Sequence, residues 1–477
     1  AITPFYNKDI TIFAETNFRN QRKPFGIKRA DREKHIYILG KTGMGKTSLM
    51  ARMIVQDIAQ GEGVCLIDPN RELAEQILNF VPESRVKEVV YFNPADREYP
   101  FVFNLFDDVQ DESELHILAL GIVGILNDLW RDVWTPRLEY VLTNSILTLL
   151  ANKGTSFLDI VPLLTDETFR NFCILAISDN ALREFWTREF SEERERFLRP
   201  AIEPIRDKMG QLLTNPVIRN TSRESSRFSF NDLLDKKRIT ICSFNKHEIG
   251  EDAARLLGSA FLLRLLLRAK RTAPSSSKRD LYLYIDEFHE LAFNGISDFL
   301  GSSEHGLRFI VSHQYLSQIN ENLREAIFGN VGTILAFRVG SSDAAFLAEE
   351  FGPTVSTHNL TTLPPYMIIL KLLINGKPSS PFSALTLPPL PKAGLRDRIV
   401  SYSRMMYGEQ KSLSAPESEN EKKPEEPKKS LLKEFREKMA AVTRSAVNHD
   451  KESDHKRMAE KSEELLQELS PGKEVGF

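Results

Sequence analysis

Nowhere in its 477 residues does the chain carry an uninterrupted apolar run of the ~18 residues that a membrane-crossing helix needs. The nearest candidates fail: 117–126 stops at Asn127 and Asp128, 260–267 is broken by Arg264, and 366–374 by Lys371. These are expected core segments, and no spanning helix is expected in the chain. No secretory apolar stretch opens it either, although a start at Ala1 without Met leaves room for an upstream segment, a membrane anchor included. Cysteine is scarce. Cys65, Cys173 and Cys242 form neither a disulfide framework nor a zinc-ligand spacing, which excludes a stapled secreted scaffold and fits a reducing compartment. An excess of one charge is missing too, since 63 Lys and Arg face 66 Asp and Glu, for a net charge of −3. Without a global basic field, contact with DNA has to come from a local patch.

What the chain does hold is a phosphate-binding loop. Residues 35–58 read HIYILGKTGMGKTSLMARMIVQDI, and Gly40, Gly45, Lys46 and Thr47 fill the fixed places of G-x-x-x-x-G-K-[ST]. Ile36, Tyr37, Ile38 and Leu39 feed the loop as a buried strand. Leu49, Met50, Met53, Ile54, Val55 and Ile58 then recur at helical spacing. The backbone from Gly40 through Lys41, Thr42, Gly43, Met44 and Gly45 to Lys46, Thr47 and Ser48 is expected to wrap the phosphates of ATP at the positive end of that helix. Lys46 adds a charge at the β- and γ-oxygens, and the Thr47 hydroxyl is left to hold Mg2+.

Before the loop, 9–16 alternates loosely like a strand. After it, Val64–Ile67 makes a second strand ending at Asp68, and 86–92 a third. Asp68 reads either as a residue at the ligand-binding edge of the sheet or as a turn cap. From 108 to 226 the pattern becomes amphipathic and helical throughout, which predicts an inserted all-helical domain, with Pro162, Pro200, Pro204 and Pro216 at helix starts or ends. WTPRLEY, with Trp134, Arg137 and Glu139, fits a helix start as well as a functional cluster. Strand signals resume at 238–243, 281–285, 309–312 and 333–337, alternating with helices. An α/β fold follows, a mainly parallel sheet with helices on both faces. The divisions are 1–107 and 227–405 for a split nucleotide-binding domain, 108–226 for the insertion, and 406–477 for a charged tail, disordered by composition, in which 430–442 and 455–469 are weakly helical.

ATP cleavage needs a metal and a group that aims the attacking water. Asp286 and Glu287, after the apolar strand 281–285, fit those roles as metal holder and water-polarising carboxylate. Gln314, at the end of the next strand, is placed to sense the γ-phosphate. His313 and Tyr315 read as packing residues, and His289, His305 and His358 show no metal spacing.

With these pieces in place, the chain resembles the type IV secretion coupling proteins, the DNA-pumping motors of conjugation, within the HerA-FtsK superfamily. The carriers are FGIKRADREKHIYILGKTGMGKT, GVCLIDPN, EVVYFNPADREYPFVFNLF, WTPRLEY, DLYLYIDEFHELA, FIVSHQYLSQI and FGNVGTILAFRVG, over roughly residues 20–390. The resemblance implies a RecA-like core with a helical insertion, a homo-oligomer assembled as a hexameric ring, and sequence-independent DNA translocation driven by ATP hydrolysis. It also implies a cytoplasmic location at the inner membrane face, and contacts with relaxase and secretion-channel proteins through the tail or the helical domain. By position it gives Lys46 and Thr47 to ATP and Mg2+, Asp286 and Glu287 to metal and water, and Gln314 to sensing. Relatives place an Arg about eleven residues before the glutamine, where this chain has Ser303; Arg308 and Arg338 are the replacements offered for a trans-acting arginine. Two alternatives compete: a soluble HerA-type end-processing motor working with a nuclease, and a nucleotide-gated adaptor that recruits relaxase or effector without pumping.

Overall fold

The computed structural model describes residues 9–17, 22–107, 109, 111–190, 192–222, 226–271, 280–291, 296–301, 305–388 and 392–408. Most of the charged tail, 409–477, and Ser303 lie outside them. The strands in chain order are β1 (Ile10–Thr16), β2 (Pro24–Lys28), β3 (Ile36–Leu39), β4 (Gly63–Asp68), β5 (Val89–Phe92), β6 (Ile239–Ser243), β7 (Leu281–Ile285), β8 (Leu307–His313), β9 (Thr333–Ala336), β10 (Met367–Lys371), the short pair β11 (Leu373–Ile374) and β12 (Lys377–Pro378), and β13 (Phe382–Thr386).

All but the short pair join one 11-stranded sheet in the order β2-β1-β13-β10-β9-β3-β8-β7-β4-β6-β5. From β9 to β5 every neighbouring pair is parallel. From β9 to β2 every pair is antiparallel. The central strands are buried on both faces, which only helices packed above and below allow. Successive residues divide between two apolar layers: Tyr37, Leu39, Cys65, Ile67, Leu283 and Ile285 join one, and Ile36, Ile38, Val64, Leu66, Tyr282 and Tyr284 the other. Cys65 and Cys242 are free and buried on adjacent strands, as core residues.

The second layer is closed by α1 (Lys46–Ala59) and α2 (Glu72–Leu78). Its anchor is polar. Arg32 makes a bidentate pair with Asp57 of α1 at 2.6 and 2.9 Å, and donates to Tyr284 of β7 at 2.8 Å and to Thr11 of β1 at 2.9 Å. Arg32 and Asp57 are each about 1% exposed, so loss of either alone would strand a buried charge at a cost of about 3–5 kcal/mol. The consequence is positional: the rear of α1 is clamped to the sheet, which fixes where its front end sits.

The first layer is covered, among the described residues from Glu112 to Asp235, by helices alone: α3 (Glu112–Leu129), α4 (Pro136–Leu150), α5 (Ile160–Thr165), α6 (Glu167–Leu175), α7 (Asn180–Glu184), α8 (Glu192–Thr214), α9 (Pro216–Thr221) and α10 (Phe230–Asp235). With α11 (Lys246–Ile249) and α12 (Glu251–Arg271), they pack into the same apolar cluster as the sheet face. WTPRLEY is a helix start: Thr135 caps α4 through the Leu138 N–H, and Pro136 takes the first turn, where its missing N–H costs nothing. Pro216 likewise opens α9. Pro200 and Pro204, however, lie inside α8 rather than at its ends. Burial of Ala201, Ile205 and Met209 on that helix outweighs the two lost backbone hydrogen bonds. No described helix is long and apolar enough to cross a membrane.

Candidate nucleotide-binding site

The chain leaves β3 and returns to the sheet at β4, skipping the places later taken by β8 and β7. A crevice at the carboxyl ends of parallel strands therefore gathers residues from four of them, the usual ligand position in an open α/β sheet. β3 delivers the loop 40–45, β8 ends just before Gln314, β7 ends just before Asp286 and β4 ends at Asp68.

Within the loop, Gly43 (φ +76°) and Gly45 (φ +112°) take left-handed conformations that any side chain would strain. Gly45 is doubly constrained, because a Cβ there would lie 2.7 Å from the Tyr366 ring. Lys46 opens α1 and folds back, its Nζ donating to the carbonyls of Gly40 at 2.7 Å and Lys41 at 3.3 Å. Burial lowers the ammonium's pKa, and the nearby charges of Glu287 and Asp286 oppose that shift. Lys41, Thr42 and Gly43 are exposed, Met44 is buried against the core, and Thr47 and Ser48 are half-buried in the first helical turn. The amide N–H groups of that turn have no partner within the helix, so the turn can bind an anion.

Opposite the loop sits an acid cluster. Asp286 is buried and accepts from the Ser312 hydroxyl and from the Glu287 N–H. Burial raises its pKa, as does the charge of Glu287. Glu287 occupies a left-handed conformation (φ +47°) and accepts from Gln314 Nε2 at 2.9 Å through Oε1, while its Oε2 is buried without a hydrogen bond. Asp68, at the carboxyl end of β4, is the turn cap of the second reading. It accepts from Asn70 N at 2.8 Å and Ala74 N at 2.9 Å. Burial, then the Asp286 charge, push its pKa up to about 7.

Two carboxylates, Glu287 and Asp286, thus act on the Lys46 ammonium, and the charge of Asp286 is felt in turn by Asp68. The described residues contain no three-ligand metal cage. The buried Asp286 carboxylate is the type of oxygen ligand that Mg2+ takes from protein, one or two at a time, with water and phosphate oxygens in its remaining places.

Asp68 carries a measurable consequence. Its folded pKa is about 7 against an ordinary 3.8, so between those values the folded protein holds a proton the unfolded chain has released. Stability from this group is complete below about pH 4 and is lost as pH rises through 7, to a limit of roughly 4 kcal/mol. Melts of nucleotide-free protein should show wild type losing ground to Asp68→Asn between pH 4 and 8. Parallel pH profiles for the two proteins would mean that Asp68 titrates normally.

The two offered arginines part company. Arg308 stands at the start of β8, the opposite end of the strand from Gln314, buried and paired with Asp280 at 2.7 Å and Glu33 at 3.4 Å. Buried and ion-paired within its own fold, its guanidinium is not presented to a neighbouring subunit. Arg338 follows β9, its carbonyl accepting from Lys41 N at 2.9 Å, and its half-buried guanidinium has no hydrogen bond or ion pair among the described residues. Sequence reasoning missed three contributors. Tyr366 holds its ring against Gly45 from a strained backbone (φ +65°), a position with no motif to betray it. Gln318 and His289 sit behind Gln314 and Glu287, and their only signal was nearness in sequence to the assigned residues. Tyr315, read as packing, is 49% exposed, whereas His313 is fully buried.

Residues 24–354 match the family model described as the DNA-binding domain of type IV secretion-system coupling proteins. A comparison with curated proteins gives no match. Among solved structures, the bacterial conjugative coupling protein TrwBΔN70 in an unbound form has a TM-score of 0.59 at 18% identity, over 78% of this chain and 88% of that one. TrwB in complex with the non-hydrolysable ATP analogue ADPNP gives 0.60 at 17%, over 82% and 92%. VirB4 of Thermoanaerobacter pseudethanolicus gives 0.56 at 12%, over 82% and 98%. Identities this low establish a common fold, the RecA-like P-loop NTPase fold.

Proposed function

Because the chain belongs to the type IV secretion-system coupling protein family of the HerA-FtsK superfamily, we propose that this corner hydrolyses ATP to drive DNA through a ring of identical subunits. The observation that carries the reading is the contact of Glu287 with Gln314 at 2.9 Å, on the strand ends beside the phosphate loop. TrwB structures of the same fold hold ADP with Mg2+ and an ATP analogue, which supports ATP and Mg2+ here.

The amides of 40–48 and the Lys46 ammonium bind the phosphates and replace their lost hydration. Thr47 and Asp286 would hold Mg2+, which neutralises charge gathering on the β- and γ-oxygens. Ser312 keeps the Asp286 carboxylate turned toward that place. Glu287 orients the attacking water and takes up its proton, and Gln314, bonded to Glu287, feels the γ-phosphate and reports its loss. Segment 108–226 is an inserted helical domain in this reading. The domain and the tail offer surfaces to relaxase and channel proteins at the cytoplasmic membrane face.

DNA binding would be sequence-independent and salt-dependent, through Lys and Arg on the channel side. ATP turnover measured with and without single- and double-stranded DNA tests the whole reading. A pump is stimulated by DNA. Turnover that ignores DNA removes translocation, and absent turnover leaves the adaptor.

A hexamer needs an arginine acting between subunits, and Arg338 is our candidate. Arg338→Ala should lower kcat roughly 10- to 100-fold, the loss of one hydrogen bond to a charged group. Mixing Arg338→Ala with Lys46→Ala subunits should recover part of the activity, because some sites then join an intact phosphate loop to an intact arginine while both lesions fall together in others. Full activity in a pure Arg338→Ala ring would assign the role elsewhere.

A further inference from the structure

Behind Glu287 runs a series of side chains whose hydrogen-bond polarity can be read from end to end. Gln318 closes a short 3-10 turn (Leu316–Gln318) after β8. Its Oε1 accepts from the backbone N–H groups of Gln314 and Tyr315, each at 3.0 Å. Backbone amides only donate, so this end of the side chain is the oxygen and the other is the NH2. That NH2 lies 2.9 Å from His289 Nε2. An NH2 also only donates, so His289 Nε2 accepts, and the neutral ring carries its proton on Nδ1.

His289 Nδ1 is buried without a hydrogen bond and faces Glu287 Oε2, also buried and unbonded, at 3.5 Å. The other Glu287 oxygen is already held by Gln314. On the far side, His313 Nδ1 faces Gln318 Oε1 at 3.3 Å and its Nε2 meets the Tyr37 hydroxyl at 2.6 Å. Burial holds His313 neutral, its pKa down at about 3. Each donor therefore points the same way, from Tyr37 through His313, Gln318 and His289 to Glu287. Glu290 is the remaining charged neighbour, its Oε1 3.5 Å from His289 Nε2 but engaged by Lys246 at 2.6 Å.

We propose that His289 is a positioning residue for hydrolysis: as the Nδ1–H tautomer imposed by Gln318, it holds the second oxygen of Glu287 while Gln314 holds the first. Gripped at both oxygens, the carboxylate presents one orientation to the attacking water. The separation of 3.5 Å is long for a formed bond, as catalytic contacts are before substrate binds. Closure by about half an ångström completes it. This role rests on the ATPase reading above, and its test is separable from that reading.

Asn at this position puts an amide N–H near the place of Nδ1, and Gln puts one near Nε2. His289→Ala and His289→Gln should each lower kcat about 10- to 100-fold with KM for ATP unchanged, and His289→Asn should lie at least about tenfold above both. Gln318→Glu keeps the acceptor for the two backbone N–H groups but presents an oxygen to His289, so it should move the proton to Nε2 and lower kcat as His289→Ala does. Nitrogen-15 NMR of histidine-labelled protein reads the tautomer directly, with the proton on Nδ1 in wild type and on Nε2 in Gln318→Glu. A wild-type proton on Nε2, equal kcat for the Asn and Gln variants, or a loss confined to KM would each overturn the proposal. Turnover that survives Lys46→Ala would instead remove the ATPase reading and leave the tautomer measurement standing.

Discussion

Lys46→Ala should cut ATP turnover by at least about 10³-fold and abolish measurable nucleotide binding, the upper range for removing one preorganised donor aimed at developing charge. Two features make the loss this large. The ammonium is already folded over the loop, bonded to the Gly40 and Lys41 carbonyls, so it meets the phosphates with little left to organise. Its charge also interacts with both Glu287 and Asp286. Without it, a triphosphate would meet the carboxylates of Asp286 and Glu287 with no ammonium between, and repulsion would add to the missing attraction. Lys46→Arg should fail nearly as badly, because a planar fork cannot take the place of a compact ammonium between two carbonyls. Isothermal titration with an ATP analogue, alongside thermal melts to confirm folding, separates lost binding from lost structure. A folded Lys46→Ala protein with affinity and turnover within about threefold of wild type would end the nucleotide assignment.

How much of this was legible beforehand depends on how locally each feature is encoded. The phosphate loop is a run of nine residues whose glycines, lysine and threonine act where they stand, so the motif and the φ angles of Gly43 and Gly45 agree. The strand before Asp286 is similarly self-contained, and its burial follows from its apolar run. Arg308 was misplaced because a one-dimensional pattern ranks an arginine near Gln314 without saying which end of β8 it occupies. Five residues of extended chain separate the two, and they carry Arg308 to the opposite edge of the sheet. The antiparallel edge was not visible, since β1 pairs with β13 across the whole length of the fold. The proline positions misled for another reason: a helix end is the cheapest place for proline, but a buried face can hold one mid-helix, as α8 does. The relay from Tyr37 to Glu287 draws on β3, β7, β8 and the turn after it, and only the folded arrangement of donors and acceptors reveals it.

Glu287→Gln should retain ATP but lower its cleavage roughly 10²- to 10⁴-fold, the span for loss of a positioned general base. The substitution keeps shape and volume, and the side-chain oxygen can still accept from Gln314 at the place of Oε1. At the place of Oε2, however, an NH2 now faces His289 Nδ1, where the relay delivers a proton. Two donors meet there, so the mutant side chain must either turn over and break with Gln314 or force His289 to the other tautomer against Gln318. Neither arrangement restores a carboxylate to the water, which is why the loss should appear in the chemical step. Rapid-quench single turnovers should therefore show a slow cleavage phase with the amplitude of bound ATP intact. Glu287→Asp tests the geometry separately: it keeps the charge but withdraws the carboxylate by one methylene, beyond reach of Gln314, and should lose most of the same rate. Cleavage at the wild-type rate in Glu287→Gln would move water activation to another residue and leave the contact between Glu287 and Gln314 a structural one.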